Sequence, residues 1–299
     1  MRAFLAAIRS TWRLFSRRRA LWLPFLIIAL SELFFTGLIC LAPHPPFASI
    51  LAPPLRYFFN ERVLHYPWHL WFLYDAMKHT HFIASVLIGA FMSGIACTMV
   101  RQAYQGQPLS LRNALISRQV RYRRVVLIWL LTWIIARGVL QLTASLAPKT
   151  TWIIWSSIVV TVVIQTLLAY AIPAAVFMDL SWWKAIMRSI REAIQFPIDT
   201  LLAVTMASAL VVLFAVIVTP NHVARWMMQT TPEIALVFVV ARLVILTAAD
   251  AFLTVAVATM WWAHRAVELS GSVNTVNTAE GMLVSSGAMQ GEEAILASG

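Results

Sequence analysis

The chain has 299 residues, 61% of them apolar and only 12% charged, against roughly 25% charged in soluble domains. So few charges cannot cover a soluble fold of this size, and the composition points to a protein solvated by lipid. The net charge of +11 would suit nucleic acid, but the cations are distributed in the way that marks anionic lipid as the partner.

Residues 1–19 open the chain with a basic helix. At about 100° per residue, Phe4, Ile8, Trp12 and Phe15 fall on one side and Arg2, Arg9, Arg13 and Arg17 on the other. Such a helix is expected to rest in the membrane interface with its arginines among lipid phosphates. Residues 20–265 then hold six apolar stretches near the length of about 20 residues that crosses a bilayer: 20–41, 82–100, 125–147, 152–172, 198–219 and 235–262. The first is too long for the core of a signal peptide and no A-x-A site follows it, so it is read as an uncleaved anchor. The predicted class is all-α: a polytopic membrane protein with six transmembrane helices and interfacial amphipathic helices.

Between the first two spans, residues 43–80 are rich in proline (Pro43, Pro45, Pro46, Pro53, Pro54). They then become densely aromatic, with Tyr57, Phe58, Phe59, Tyr66, Trp68, Trp71, Phe72 and Tyr74. This is read as an external loop bearing an aromatic belt. His65, His69, His79 and His81 fall there with Asp75. His65 and His69 have i, i+4 spacing that can hold a metal, but Pro67 between them argues against a helix, and no metal is expected. With no histidine placed at mid-depth, no haem is expected either.

The second span carries Ser85, Gly89, Ser93 and Cys97 at four-residue spacing, a stripe expected to admit a neighbouring helix closely. Cys97 and Cys40 are too few for a disulfide framework and are read as small packing residues. The connector 101–124 is strongly basic. In the connector 173–197, Trp182, Trp183, Ile186, Met187, Ile190 and Ile194 oppose Lys184, Arg188, Arg191, Glu192 and Gln195, which predicts a second interfacial helix with Arg188 and Arg191 at headgroups. Residues 110–131 align faintly with 181–202, and an internal duplication and shared membrane-helix composition both explain the likeness. Residues 266–299 lose apolar periodicity and are expected to form a mobile tail.

Orientation follows from charge. The segments 1–19, 101–124 and 173–197 hold Arg2, Arg9, Arg13, Arg17, Arg18, Arg19, Arg101, Arg112, Arg118, Arg121, Arg123, Arg124, Lys184, Arg188 and Arg191, and Arg265 follows the last span. The alternate connections hold only Arg56, Arg62, Lys78, Lys149 and Arg225. The expectation is a bacterial inner-membrane protein with both ends in the cytoplasm.

The run Pro173-Ala-Ala-Val-Phe-Met-Asp179, followed by Ala185 and Ser189, resembles the P-x-x-V-x-x-[DE] … A-x-x-x-S signature of a bacterial group of six-helix membrane proteins. That group includes the membrane domain attached to some glycerophosphodiester phosphodiesterases. The resemblance implies the group's fold. It implies no catalytic role, since no phosphodiesterase domain accompanies it.

Charges inside spans each cost roughly 3 kcal/mol or more unless paired. Glu32, Arg137, Arg242 and Asp250 are four such residues, and Arg137 is expected to pair with Glu32 or Asp250. No zinc-protease, hydrolase, phosphate-loop or dinucleotide motif occurs, so neither an enzyme nor a cofactor is expected. The leading expectation is a non-catalytic protein organising lipid or partner subunits. The alternative is a small transporter built on the charge cluster, disfavoured because Pro24, Pro173 and Pro197 sit at span ends and few helix breaks are evident.

Overall fold

The structure, a computed structural model of the chain, describes residues 2–66, 68–117, 120–146, 151–218, 231 and 233–296, and these contain helices and no strands. The helices are α1 (Arg2–Arg17), α2 (Leu23–Leu41), α3 (Ala48–Phe59), α4 (Trp68–Ala84), α5 (Ala90–Tyr104), α6 (Leu111–Ile116), α7 (Tyr122–Leu146), α8 (Thr151–Leu168), α9 (Ala171–Phe177), α10 (Trp182–Gln195), α11 (Pro197–Val218) and α12 (Ile234–Leu296). Four helical segments are long and apolar enough to cross a membrane: Arg19–Leu41, His79–Tyr104, Ile158–Phe177 and Ile234–Arg265. A fifth counts if the α10–α11 pair, bent by 104°, is one span. The predicted third span falls on α7, whose last side chains lie outside the described residues.

Residues Met1–Thr259 form one compact unit and Met260–Gly299 another. Within the second, the Arg265 guanidinium lies 5.5 Å over the Trp261 ring. The backbone there is helical to Leu296, where the composition predicts an irregular tail; good helix formers such as Ala279, Glu280, Met282 and Leu283 recur in it.

In the first unit α2 lies along α4, α5 packs against α7 and α9, and α8 packs against α7, α10 and α11. Leu73 and Met77 of α4 meet Val239 and Leu243 of α12, with Ala29, Ile39 and Cys40 of α2 packed against them. In lipid such contacts are held by close van der Waals packing rather than by escape from water. The outer faces stay apolar: Leu30, Phe34, Ile134, Leu213, Val240 and Val244 are all exposed.

The aromatic segment expected to be a loop is largely helix. Leu70, Leu73, Met77, Thr80 and Ala84 are buried at the 3–4-residue spacing of a helix face. Helix α4 therefore runs on through a π-helical turn, Ser85–Gly89, into α5 without a break. His79 and His81 accordingly belong to a span-length helix and not to an external loop.

A helix break absent from the sequence reading occurs near the end of the fourth span, and α10 meets α11 at a 104° bend just before the fifth. Pro173 offers no N–H to the carbonyl four residues back, and the helix interrupts at residues 169–170, between α8 and α9. Ser189 of α10 bridges the gap: its Oγ donates to the Leu167 carbonyl at 2.7 Å and accepts from the Tyr170 N–H at 3.1 Å. The Tyr170 hydroxyl lies 3.0 Å from Thr200 Oγ1 of α11. Arg124 of α7 donates to the Asp179 carboxylate at 2.6 Å and to the Asp179 and Leu180 carbonyls, with Arg121 3.5 Å from the same carboxylate. Asp179 sits at φ 50°, a left-handed conformation that Asp tolerates better than most residues. Thus Pro173, Asp179, Ala185 and Ser189, which carry the resemblance, together hold the junction of α8, α9 and α10.

Helix α10 shows three strips rather than two. Ala185, Ser189, Glu192 and Ala193 are buried; Trp183, Met187 and Ile194 are exposed; Lys184 and Arg191 are exposed beside them. Glu192, placed on the polar face by periodicity, is buried and paired with Arg188 four residues back. The aligned connectors 110–131 and 181–202 differ in form: the first contains the six-residue α6, the second the fourteen-residue α10.

Candidate functional site

Three helices bring polar side chains together inside the first unit. Glu32, midway along α2, is 2% exposed. Its Oε1 lies 2.8 Å from His81 Nδ1 of α4, while Oε2 is buried without a hydrogen-bond partner among the described residues. One helical turn further along α2, Thr36 Oγ1 lies 3.3 Å from Thr80 Oγ1. Asp250 of α12 faces the pair within electrostatic reach of both Glu32 and His81, and Arg242 lies within reach of His81. Asp250 makes no hydrogen bond or ion pair among the described residues.

The structure thus gathers Glu32, Asp250 and Arg242 around His81 and leaves Arg137 out. Helix α7 packs against α5, α8, α9 and α10, and Arg137 is exposed on it beside Ile134 and Ile135. It makes no ion pair among the described residues, so the expected Glu32–Arg137 or Arg137–Asp250 pair is replaced by Glu32–His81. The long Arg side chain can instead snorkel toward headgroups. His81 was missed as a partner because it was assigned to a loop; the helical spacing of Leu70, Leu73, Met77, Thr80 and Ala84 is the signal that corrects this.

Two cavities meet at Asp250. The first, of about 400 Å³, is bounded by His81, by Ile158, Thr161, Val162 and Gln165 of α8, by Ala207, Ser208, Val211 and Val212 of α11, and by Leu246, Ala249, Asp250 and Leu253 of α12. Aliphatic walls carry a polar seam, in which Ser208 Oγ donates to Gln165 Oε1 at 3.2 Å. The second, of about 170 Å³, is bounded by Ile28, Ser85, Gly89, Ser93, Cys97, Trp129, Ala169, Ile172, Pro173, Thr254 and Val257, and again by Asp250 and Leu253. Along every helix that lines both, the residues of the second cavity lie nearer the end of the bundle that carries α1. Asp250 has solvent-accessible surface and borders both cavities.

Two helix irregularities face the second cavity. The π turn contributes Ser85 and Gly89, and the α8–α9 break contributes Ala169, Ile172 and Pro173. Mid-helix π turns recur at functional sites, and discontinuous helices mark binding sites in transporters. The stripe Ser85, Gly89, Ser93, Cys97 runs along this cavity. A Cβ on Gly89 would meet nothing nearer than Ser85 at 3.5 Å, whereas one on Gly94 would come within 2.9 Å of Val120 Cγ1, so the close approach is at Gly94.

Of the predicted headgroup arginines, Arg9, Arg13, Arg17 and Arg191 are exposed, Arg188 is half-buried, and the Arg2 side chain lies outside the described residues. Among the described residues no group of three or more His, Cys, Asp or Glu side chains is placed to hold a metal ion; His69 and Asp75 have side chains outside them. No protein-family model, curated protein or solved structure matches the chain.

Proposed function

We propose that the chain is a small membrane transporter that passes a proton or small solute between the two cavities, with Asp250 as the ionisable residue that lines both. The observation that carries this reading is the position of that carboxylate: unpaired, mid-helix, and on the boundary of both cavities. A carboxylate kept in a low-dielectric interior is costly unless function retains it. The π turn and the α8–α9 break supply the irregular backbone that transport sites use. In this reading α7 and the α10–α11 pair complete six spans, both termini lie in the cytoplasm, and the first cavity opens outward.

The test is cysteine accessibility from either side. In a background with Cys40 and Cys97 changed to Ala, a membrane-impermeant thiol reagent should modify Ser208→Cys from outside and Ser93→Cys from inside. Proteoliposomes of the parent should dissipate an imposed pH gradient, and those of Asp250→Asn should not. If neither cysteine reacts from any side, the compartments are closed to water and the reading fails.

A second reading, organisation of lipid, is favoured by α10. Its Trp183, Met187 and Ile194 are exposed beside Lys184 and Arg191, and a groove of about 520 Å³ runs between its apolar and basic strips, lined by Met187, Ile190 and Ile194 with Lys184, Arg188 and Arg191. Such a groove suits an acyl chain beneath an anionic headgroup.

A further inference from the structure

Helix α1 and the end of α5 enclose a separate cavity of about 260 Å³ lined by Ser10, Arg13, Leu14, Arg17, Arg18, Ala103 and Tyr104. Ser10, Arg13, Leu14 and Arg17 recur at three- and four-residue steps and so share one face of α1. Arg18 closes the helix, its N–H donating to the Leu14 carbonyl at 2.8 Å, and Leu21 is fully buried just beyond it. The Phe15 and Trp22 rings, 4.6 Å apart, pin the chain's turn into α2. The backbone that carries Arg13, Arg17 and Arg18 is thus ordered, and their side chains are exposed.

No residue lining the cavity is acidic. The sequence has no Asp or Glu before Glu32, and none between Asp75 and Asp179, so neither helix forming the cavity carries a carboxylate. Arg13, Arg17 and Arg18 make no ion pair among the described residues. Like charges four residues apart on a helix repel, and an anion between them reverses the sign. The guanidinium fork matches phosphate oxygens two at a time, and Tyr104 also lines the cavity.

We propose that this cavity is a binding site for the phosphomonoester headgroup of a membrane lipid, with Arg13, Arg17 and Arg18 as its phosphate ligands. A lipid is favoured over a free anion because Leu14 and Ala103 give the cavity an apolar floor, and because Arg17 and Arg18 immediately precede the first apolar helix, where a headgroup lies. A monoester carries more negative charge than a diester at neutral pH, which suits three cations. The site rests on the chain's lying in a membrane and on neither functional reading above.

The test titrates purified full-length protein in detergent with three soluble probes: dioctanoyl phosphatidic acid, dioctanoyl phosphatidylcholine and glycerol 3-phosphate. Phosphatidic acid should bind at least about tenfold more tightly than either other probe, since one lacks net charge and the other lacks acyl chains. Arg13→Lys/Arg17→Lys keeps the charge but loses the fork, and should weaken phosphatidic acid binding about tenfold while its thermal unfolding without ligand stays at the parent's. Arg9→Lys, outside the cavity, should bind as the parent does and keeps the comparison valid if the double variant unfolds early. Equal binding of phosphatidylcholine, parental affinity in a folded double variant, or glycerol 3-phosphate as tight as the lipid would each overturn the proposal.

Discussion

Glu32 and Arg137 are charges midway along helices, α2 and α7, yet their surroundings make opposite predictions. Glu32 is buried with His81 as its partner, so His81→Leu strands a carboxylate and should cost about 1–3 kcal/mol. Glu32→Leu in that background should recover part of the loss, with a coupling of about 0.5–3 kcal/mol, because the two side chains touch. Arg137→Leu, on an exposed face, should leave stability within about 0.5 kcal/mol of the parent. Thermal unfolding in detergent reads all three, and a large loss in Arg137→Leu would restore the pairing that the charge count suggested. The four charges were legible as residues of long apolar helices. Their partners were not, because the histidine that binds Glu32 is distant in sequence and was read as part of a loop.

At the scale of elements, the A-x-x-x-S pattern has a mechanical meaning. Ser189→Ala removes the side chain that satisfies both Tyr170 N–H and the Leu167 carbonyl at the helix break, at a cost of about 1–3 kcal/mol. For a chain of this size each kcal/mol lowers Tm by roughly 2–4 °C. Asp179→Asn loosens an ion pair whose carboxylate is 59% exposed, which is worth under about 1 kcal/mol, and should therefore shift Tm less than Ser189→Ala. The reverse order would mean that the Arg124 latch, and not the serine bridge, holds the junction. Tyr66 ties the segment before α4 to the start of α12, its hydroxyl donating to Glu233 at 3.0 Å. That hydrogen bond, with lesser help from desolvation and the Glu233 charge, raises the phenol above the usual tyrosine range. The tether is thus complete below about pH 10 and is lost as the pH rises through the raised value, a titration that tyrosine ultraviolet absorbance follows and Tyr66→Phe abolishes. Helix identity was legible wherever apolar runs were long. The continuation of α4 was not, because its aromatic residues hid a buried face of Leu, Met and Thr, and the break ahead of Pro173 was passed over because that proline was read as lying at a span end.

Considered as a whole molecule, the chain's charge asymmetry makes a topology testable without any substrate. A cysteine at Asn60 should react with an impermeant reagent applied to intact cells, and one at Arg112 or Lys184 should react only after permeabilisation. Labelling at Arg112 in intact cells would invert the proposed orientation. Filling the larger cavity with Val212→Trp should block modification of Ser208→Cys while Ser93→Cys still reacts, because the two compartments have separate walls apart from Asp250 and Leu253. Loss of both reactivities together would mean one continuous space. Lipid solvation and a helical architecture could be inferred from composition and periodicity. The cavities could not, since they arise from where helices part, and residues such as Thr161, Gln165 and Ser208 carry no sequence pattern that distinguishes a cavity wall from a packed one.

The π turn at Ser85–Gly89 has a further consequence, for insertions and deletions. A π turn holds one residue more than the α-helical turn it replaces while covering nearly the same angle, so it takes up an extra residue without turning the two stretches of a single rod against each other. Deleting Val86 would let the rod wind as uninterrupted α-helix with its halves close to their present phase, leaving His81 beside Glu32 and the small-residue stripe beside Asp250. In an uninterrupted helix such as α7, by contrast, each residue advances the phase by about 100°, and deleting Leu131 would turn one half against the other. A single-codon deletion at Val86 should therefore be far better tolerated than the same deletion at Leu131, as expression and thermal unfolding of the two variants would show.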